Sequence, residues 1–105
     1  MNFEIRQVIP AHHPSLPGHF PDAPIVPAVV ILDEVLAALS KWRKNPRLTT
    51  ISRVKFLAPL RPEQAFTICL CERQNTQAEV DFSCRVQDRL IAEGRFRFVT
   101  QEVEL

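Results

Sequence analysis

The chain has 105 residues, 46% of them hydrophobic, with 13 basic and 12 acidic side chains for a formal net charge of +1. That is the size of a single domain, 1–105, with a core of its own but small enough to be helped by oligomerisation. The near-neutral balance carries no global footprint for nucleic acid, and no apolar run is long enough to span a membrane.

Charge at Glu4 and Arg6, with no apolar run following, gives no secretory signal. Three cysteines (Cys69, Cys71, Cys84) make an odd count without C-x-x-C spacing, so they are expected to be small buried hydrophobes in a reducing cytoplasm. Phe3 to Ile9 alternates as a strand and Pro10 ends it. Pro17, Pro21, Pro24 and Pro27 then stiffen a loop in which His19 is the one ionisable side chain between Leu16 and Phe20. His12 and His13 precede it, but adjacent histidines without a nearby cysteine make no metal site, and Ser15 lies in no G-x-S-x-G elbow.

From Ala28 to about Arg43 the pattern is that of a helix, apolar on nearly all sides and therefore buried in a core. Pro27 suits its first turn, Lys41, Arg43 and Lys44 suit its C-terminal end, and Asn45-Pro46 stops it. Asp33 and Glu34 interrupt the apolar run. Neighbouring helix positions lie about 100° apart, so at most one of them is expected to face the interior, where a carboxylate must be paired or used. Four strands follow: Leu48 to Leu57, Ala65 to Arg73, Ala78 to Gln87 and Leu90 to Val99, with turns at Gln74 to Thr76 and at Asp88-Arg89. Short connections between sequential strands predict an antiparallel meander, and one long apolar helix needs a sheet around it. The expected class is α+β, a curved antiparallel sheet wrapped around one long central helix. Trp42 is expected in the core or at a dimer edge, and Phe56, Phe66, Phe82, Phe96 and Phe98 in the core or lining an acyl tunnel.

The run Gly18-His19-Phe20-Pro21-x-x-Pro24-Ile25-x-Pro27, with an acid fourteen residues after the histidine at Asp33, resembles the 3-hydroxyacyl-ACP dehydratase family of the hotdog superfamily and its motif G-H-F-P-x-x-P-x-x-P-G. Val54 to Glu63 (VKFLAPLRPE) resembles the family's strand ending in F-x-x-P-x-x-P-G-D, and Leu90 to Gly94 resembles its last hairpin, so the likeness covers nearly the whole chain. Three family positions differ: Ala28 stands where the motif has its last glycine, and Glu63-Gln64 stands where it has Gly-Asp.

The resemblance implies a hotdog fold, His19 and Asp33 as the catalytic pair, and Phe20, Pro21, Ile25, Pro27, Ala28 and Val29 around the substrate. It also implies a homodimer whose sites are shared between subunits, a substrate carried on the 4'-phosphopantetheine of acyl carrier protein, no metal and no redox cofactor. The expected reaction converts a 3-hydroxyacyl thioester to its trans-2-enoyl product in fatty-acid or polyene-type synthesis. A histidine titrating near neutrality suits proton removal from C2, helix N–H groups near Ala28 suit the developing oxyanion, and Asp33 suits proton donation if burial among Val29, Val30, Ile31 and Leu32 raises its pKa. The alternatives are a hotdog acyl thioesterase and a non-catalytic, carrier-binding partner of a second hotdog subunit. Seven basic residues lie between Lys41 and Arg61, and no acid occurs from Val35 to Pro62. Arg43, Lys44, Arg47, Arg53 and Lys55 are therefore the expected docking residues for an acidic carrier protein.

Overall fold

The computed structural model describes residues 2–13, 25–43, 46–73 and 78–100. Their elements are β1 (Asn2–Gln7), α1 (Ala28–Trp42), β2 (Pro46–Phe56), β3 (Phe66–Glu72), β4 (Glu79–Val86) and β5 (Arg89–Thr100). The five strands form one antiparallel sheet in the order β1-β3-β4-β5-β2.

The expected meander holds only for β3, β4 and β5. β2 does not neighbour β3 but pairs with β5 at the opposite edge. The connection at residues 57–65 explains the difference. Fully extended, nine residues reach about 30 Å, ample to cross three strand spacings of about 4.8 Å each. The β4–β5 turn lies at Gln87 and Asp88, one residue earlier than expected, with Gln87 at φ 54. The expected turn at 74–76 lies outside the described residues.

Alternation decides which face is covered. Phe66, Ile68 and Leu70 of β3, Val80, Phe82 and Cys84 of β4, and Ala92, Phe96 and Phe98 of β5 are buried, while their described chain neighbours, Ile91 apart, are more exposed. Against them α1 places Val30, Ile31, Val35, Ala38 and Leu39, and Ile9, Val26, Leu60 and Ile91 complete the cluster. The helix is 15 residues, hence about 22 Å long. Pro27 is its N-cap at φ −60 and ψ 146, and the Pro27 carbonyl accepts from the N–H groups of Val30 and Ile31. At the other end Trp42, half-buried, stacks on Phe3 at 6.0 Å.

Gly94 is a place where only a hydrogen fits. It faces Phe82 across the β4–β5 pair, and a Cβ there would lie 2.7 Å from Phe82 Cζ and 3.1 Å from Val54 Cγ2. The ring of Phe82 thus lies over the glycine and stacks on Phe96 at 4.9 Å.

The outer face carries cross-strand charge pairs: Arg97 with Glu79 at 3.0 Å, Arg95 with Asp81 at 2.7 Å, and Arg73 reaching Glu79 at 3.3 Å. The hydrogen bond from Arg97 holds the Glu79 carboxyl below its ordinary range. Cys69 and Cys71 share this face with their sulfurs 3.7 Å apart, half-buried rather than buried as expected, because the outer face has no second layer.

Only Cys84 lies in the core, where burial pushes its thiol up to about 12 from an ordinary value of 9.0. The unfolded chain therefore releases a proton above about pH 9 that the folded chain retains, so stability is lost as pH rises. The slope approaches about 1.4 kcal/mol per pH unit for this one group. Comparing guanidinium unfolding near neutral pH and at about pH 10 to 11 checks this: Cys84→Ala is expected to lose measurably less stability over that interval than wild type.

Candidate functional site

The start of α1 sits on an apolar groove of about 330 Å³, lined by Ile25, Val26, Ala28 and Ile31 on one side and by Phe56, Leu57, Ala58, Pro59 and Leu60 on the other. Phe56 is 42% exposed and Leu57 52%, so both are open to whatever enters, and Phe56 lines this groove rather than the core. Pro59 explains why this wall exists, since it ends the strand alternation at the edge of the sheet. The wall is fixed by backbone hydrogen bonds: the N–H groups of Leu57 and Ala58 donate to the Ile91 carbonyl, and the Val26 N–H donates to the Leu60 carbonyl at 2.8 Å. Helix geometry leaves the N–H groups of Ala28 and Val29 without an intrahelical acceptor at the mouth of this groove. That is where a developing negative charge is best accommodated.

Asp33 lies one turn beyond Val29 on the same stripe of α1, and both are exposed, Val29 by 61%. The burial expected around Asp33 is not supplied by this chain's own core. The inward stripe is Val30, Ile31, Val35, Ala38 and Leu39, and a residue three positions after Val30 falls roughly opposite its centre. Glu34 is half-buried beside that stripe, so neither acid is buried; among the described residues no polar or charged side chain is. Ile25 and Pro27 are half-buried and Ala28 is exposed. His19, Phe20, Pro21 and Lys44 lie outside the described residues.

The described residues among those expected to dock a carrier lie at the end of α1 and along β2. Arg43 is not available: it is ion-paired with Glu72 of β3 and lies 4.3 Å over the Trp42 ring, fastening the helix end to the sheet. Arg47, Arg53 and Lys55 are exposed along β2. Arg47 stands about 20 Å from Arg53 along the strand. Arg53, at φ 57 in a bulge, and Lys55 border an open cavity of about 320 Å³ with Asp81, Glu93, Gly94 and Arg95. Asp81 is already engaged by Arg95, which leaves Arg53 and Lys55 facing Glu93 alone.

The sequence reading missed Leu57, Ala58 and Leu60 as groove residues, although the break in alternation at Phe56-Leu57-Ala58-Pro59 signals a change of direction. No three His, Cys, Asp or Glu side chains among the described residues converge on a common point. Among the described residues no helix is long and apolar enough to cross a membrane.

A single helix inserted between the first two strands and packed on a 1-3-4-5-2 antiparallel sheet defines a hotdog-fold protein. Solved structures share it. One from the dehydratase heterocomplex ApeI:P of Xenorhabdus doucetiae superposes with a TM-score of 0.80 at 19% identity, covering 92% of this chain and 86% of that one. An uncharacterised protein from Erwinia carotovora gives 0.81 at 19% identity, covering 94% and 83%. A 1,4-dihydroxy-2-naphthoyl-CoA thioesterase from Synechocystis gives 0.72 at 14%, covering 94% and 81%. No protein of curated function matches in sequence. The model of the ApeI-like family, ApeI dehydratase, matches residues 1–95, and the chain belongs to that family.

Proposed function

We propose that the chain is a subunit of a hydro-lyase that removes water from a 3-hydroxyacyl thioester presented on acyl carrier protein. The observation that carries this reading is the shared stripe of α1. It sets exposed Val29, the residue after groove-lining Ala28, one turn from Asp33, beside helix N–H groups that have no intrahelical partner. In the proposed reaction His19 takes the C2 proton and the thioester oxygen gathers negative charge against the N–H groups of Ala28 and Val29. Asp33 protonates the 3-hydroxyl, which leaves as water while the C2–C3 double bond forms. Phe20, Pro21, Ile25, Pro27, Ala28 and Val29 border the acyl thioester, and Arg47, Arg53 and Lys55 meet the acidic carrier. No metal or redox group takes part.

A second hotdog subunit laid over the exposed stripe would close Asp33 off from water. β2 favours such pairing. It is hydrogen-bonded to β5 on one side, and Ile51 on it is 39% exposed. A homodimer is the proposed assembly. The similar structure from the dehydratase heterocomplex ApeI:P keeps pairing with a different subunit as the other form. The exposure of Asp33 to water favours one second reading, a thioesterase in which Asp33 activates a water molecule. Incubating the protein with a chain-length panel of 3-hydroxyacyl carrier proteins separates them by mass. Loss of one water from the intact acyl carrier supports the dehydratase, release of free carrier thiol replaces it with the thioesterase, and binding without either product makes this the non-catalytic subunit.

A further inference from the structure

β3 lies between β1 and β4, so its outer face is framed on both sides. Cys69 and Cys71 stand two positions apart on that strand and point the same way, both half-buried, with their sulfurs 3.7 Å apart. Two thiolates held at about 2.3 Å from one tetrahedral cation would lie about 3.8 Å from each other. The pair therefore already has the separation of two corners of such a site. A disulfide fits less well. Two residues along a strand span about 6.6 Å between Cα atoms, near the upper limit of about 6.8 Å for a bridge. β3 cannot shorten to help, because it is hydrogen-bonded to β1 and β4 through this stretch. Nucleophilic chemistry also fits less well: burial and the hydrogen bond with Cys71 push the Cys69 thiol up to about 11, which keeps it a thiol at neutral pH. Charge nearby is mixed but includes what a cation needs. Glu4 of β1 faces Cys69 across the strand pair, close enough for its carboxylate to act on that thiol, and Arg85 of β4 acts in the opposite sense. Asp81 faces Cys71 but is engaged by Arg95. No third His, Cys, Asp or Glu among the described residues completes the set, so the remaining corners are left to water or an exchangeable ligand.

We propose that Cys69 and Cys71 form a two-thiolate chelate on the outer face of the sheet for a thiophilic divalent cation of the zinc class. The site is separate from the groove and does not depend on the reaction proposed there. Each cation bound forms two metal–sulfur bonds and displaces the two thiol protons to solvent. The test titrates the reduced full-length protein with Co2+, whose thiolate-to-metal absorption counts the sulfur ligands, and then adds Zn2+. Wild type is expected to saturate at one equivalent with the intensity of two thiolates, and Zn2+ is expected to abolish the band. Cys69→Ser and Cys71→Ser keep the side chain's size and lie outside the core cluster, so both are expected to fold. Each is expected to weaken binding by about tenfold or more, since losing a ligand costs no less than losing the support of one. Both variants retain Cys84, so a band arising from that buried thiol would survive in them. A band of wild-type affinity in either serine variant overturns the proposal. So does the absence of a saturable band in wild type, whether the pair then stays reduced or closes to a disulfide in air.

Discussion

Replacing Asp33 by asparagine is expected to lower kcat for dehydration by about 10²–10⁴-fold, the usual worth of a positioned general acid. Asparagine keeps the size and hydrogen-bonding capacity of the side chain but cannot deliver a proton to the departing hydroxyl. Because Asp33 is exposed and outside the core cluster, the same change is expected to move folding stability by no more than about 0.5 kcal/mol. Activity and stability are thus predicted to separate, and single-turnover kinetics beside a urea melt reads both. Substantial dehydration by the variant would remove Asp33 from the chemistry and shift attention to half-buried Glu34.

Phe96→Ala is expected to have the largest effect on folding, a loss of about 3–5 kcal/mol. Phe96 is fully buried, stacks on Phe82, and stands in the middle of β5 between two hydrogen-bonded neighbours. Its removal leaves Phe82 without the ring that holds it over Gly94, so the cavity cannot close by a simple shift. A domain of this size commonly has only about 5–15 kcal/mol in hand, so the variant approaches the edge of folding. A fall in urea midpoint at unchanged m-value checks it; a loss below about 1 kcal/mol would mean that the ring is not packed as described.

Much of the fold was legible because one periodicity is written plainly. Val80, Phe82 and Cys84 alternate with polar residues, so the strands and their buried face could be read directly, whereas α1 reads as apolar on nearly all sides and buries only Val30, Ile31, Val35, Ala38 and Leu39, leaving Val29 and Ala37 exposed. Strand order was less accessible. Nothing local in Leu48 to Phe56 states that its partner is β5, since pairing partners are chosen by the whole sheet. The site divides in the same way. The proline motif and the spacing to Asp33 are local and were visible, whereas the groove wall at Leu57 to Leu60 and the Glu63–Ala11 bond join distant segments. Exposure was misjudged at Asp33 because hydrophobic neighbours in sequence are not neighbours in space on a helix. Arg43 was misjudged because its partner Glu72 is reached only through the fold.

The separation of β2 from β5 also governs how this sheet can be made. β2 finds its partners 36 to 54 positions later, from Phe56 with Ala92 to Pro46 with Thr100, and β1 waits still longer for β3. Only the two hairpins β3–β4 and β4–β5 close over short loops, so they are the natural nucleus and the edge strands must join last. During synthesis at about 5–20 residues per second, β2 emerges with both of its edges bare and stays so for roughly 2–10 seconds. Its two bulges and its arginine- and lysine-bearing stretch from Arg47 to Lys55 then serve a nascent chain as much as a finished one, discouraging neighbouring polypeptides from pairing with it before β5 arrives.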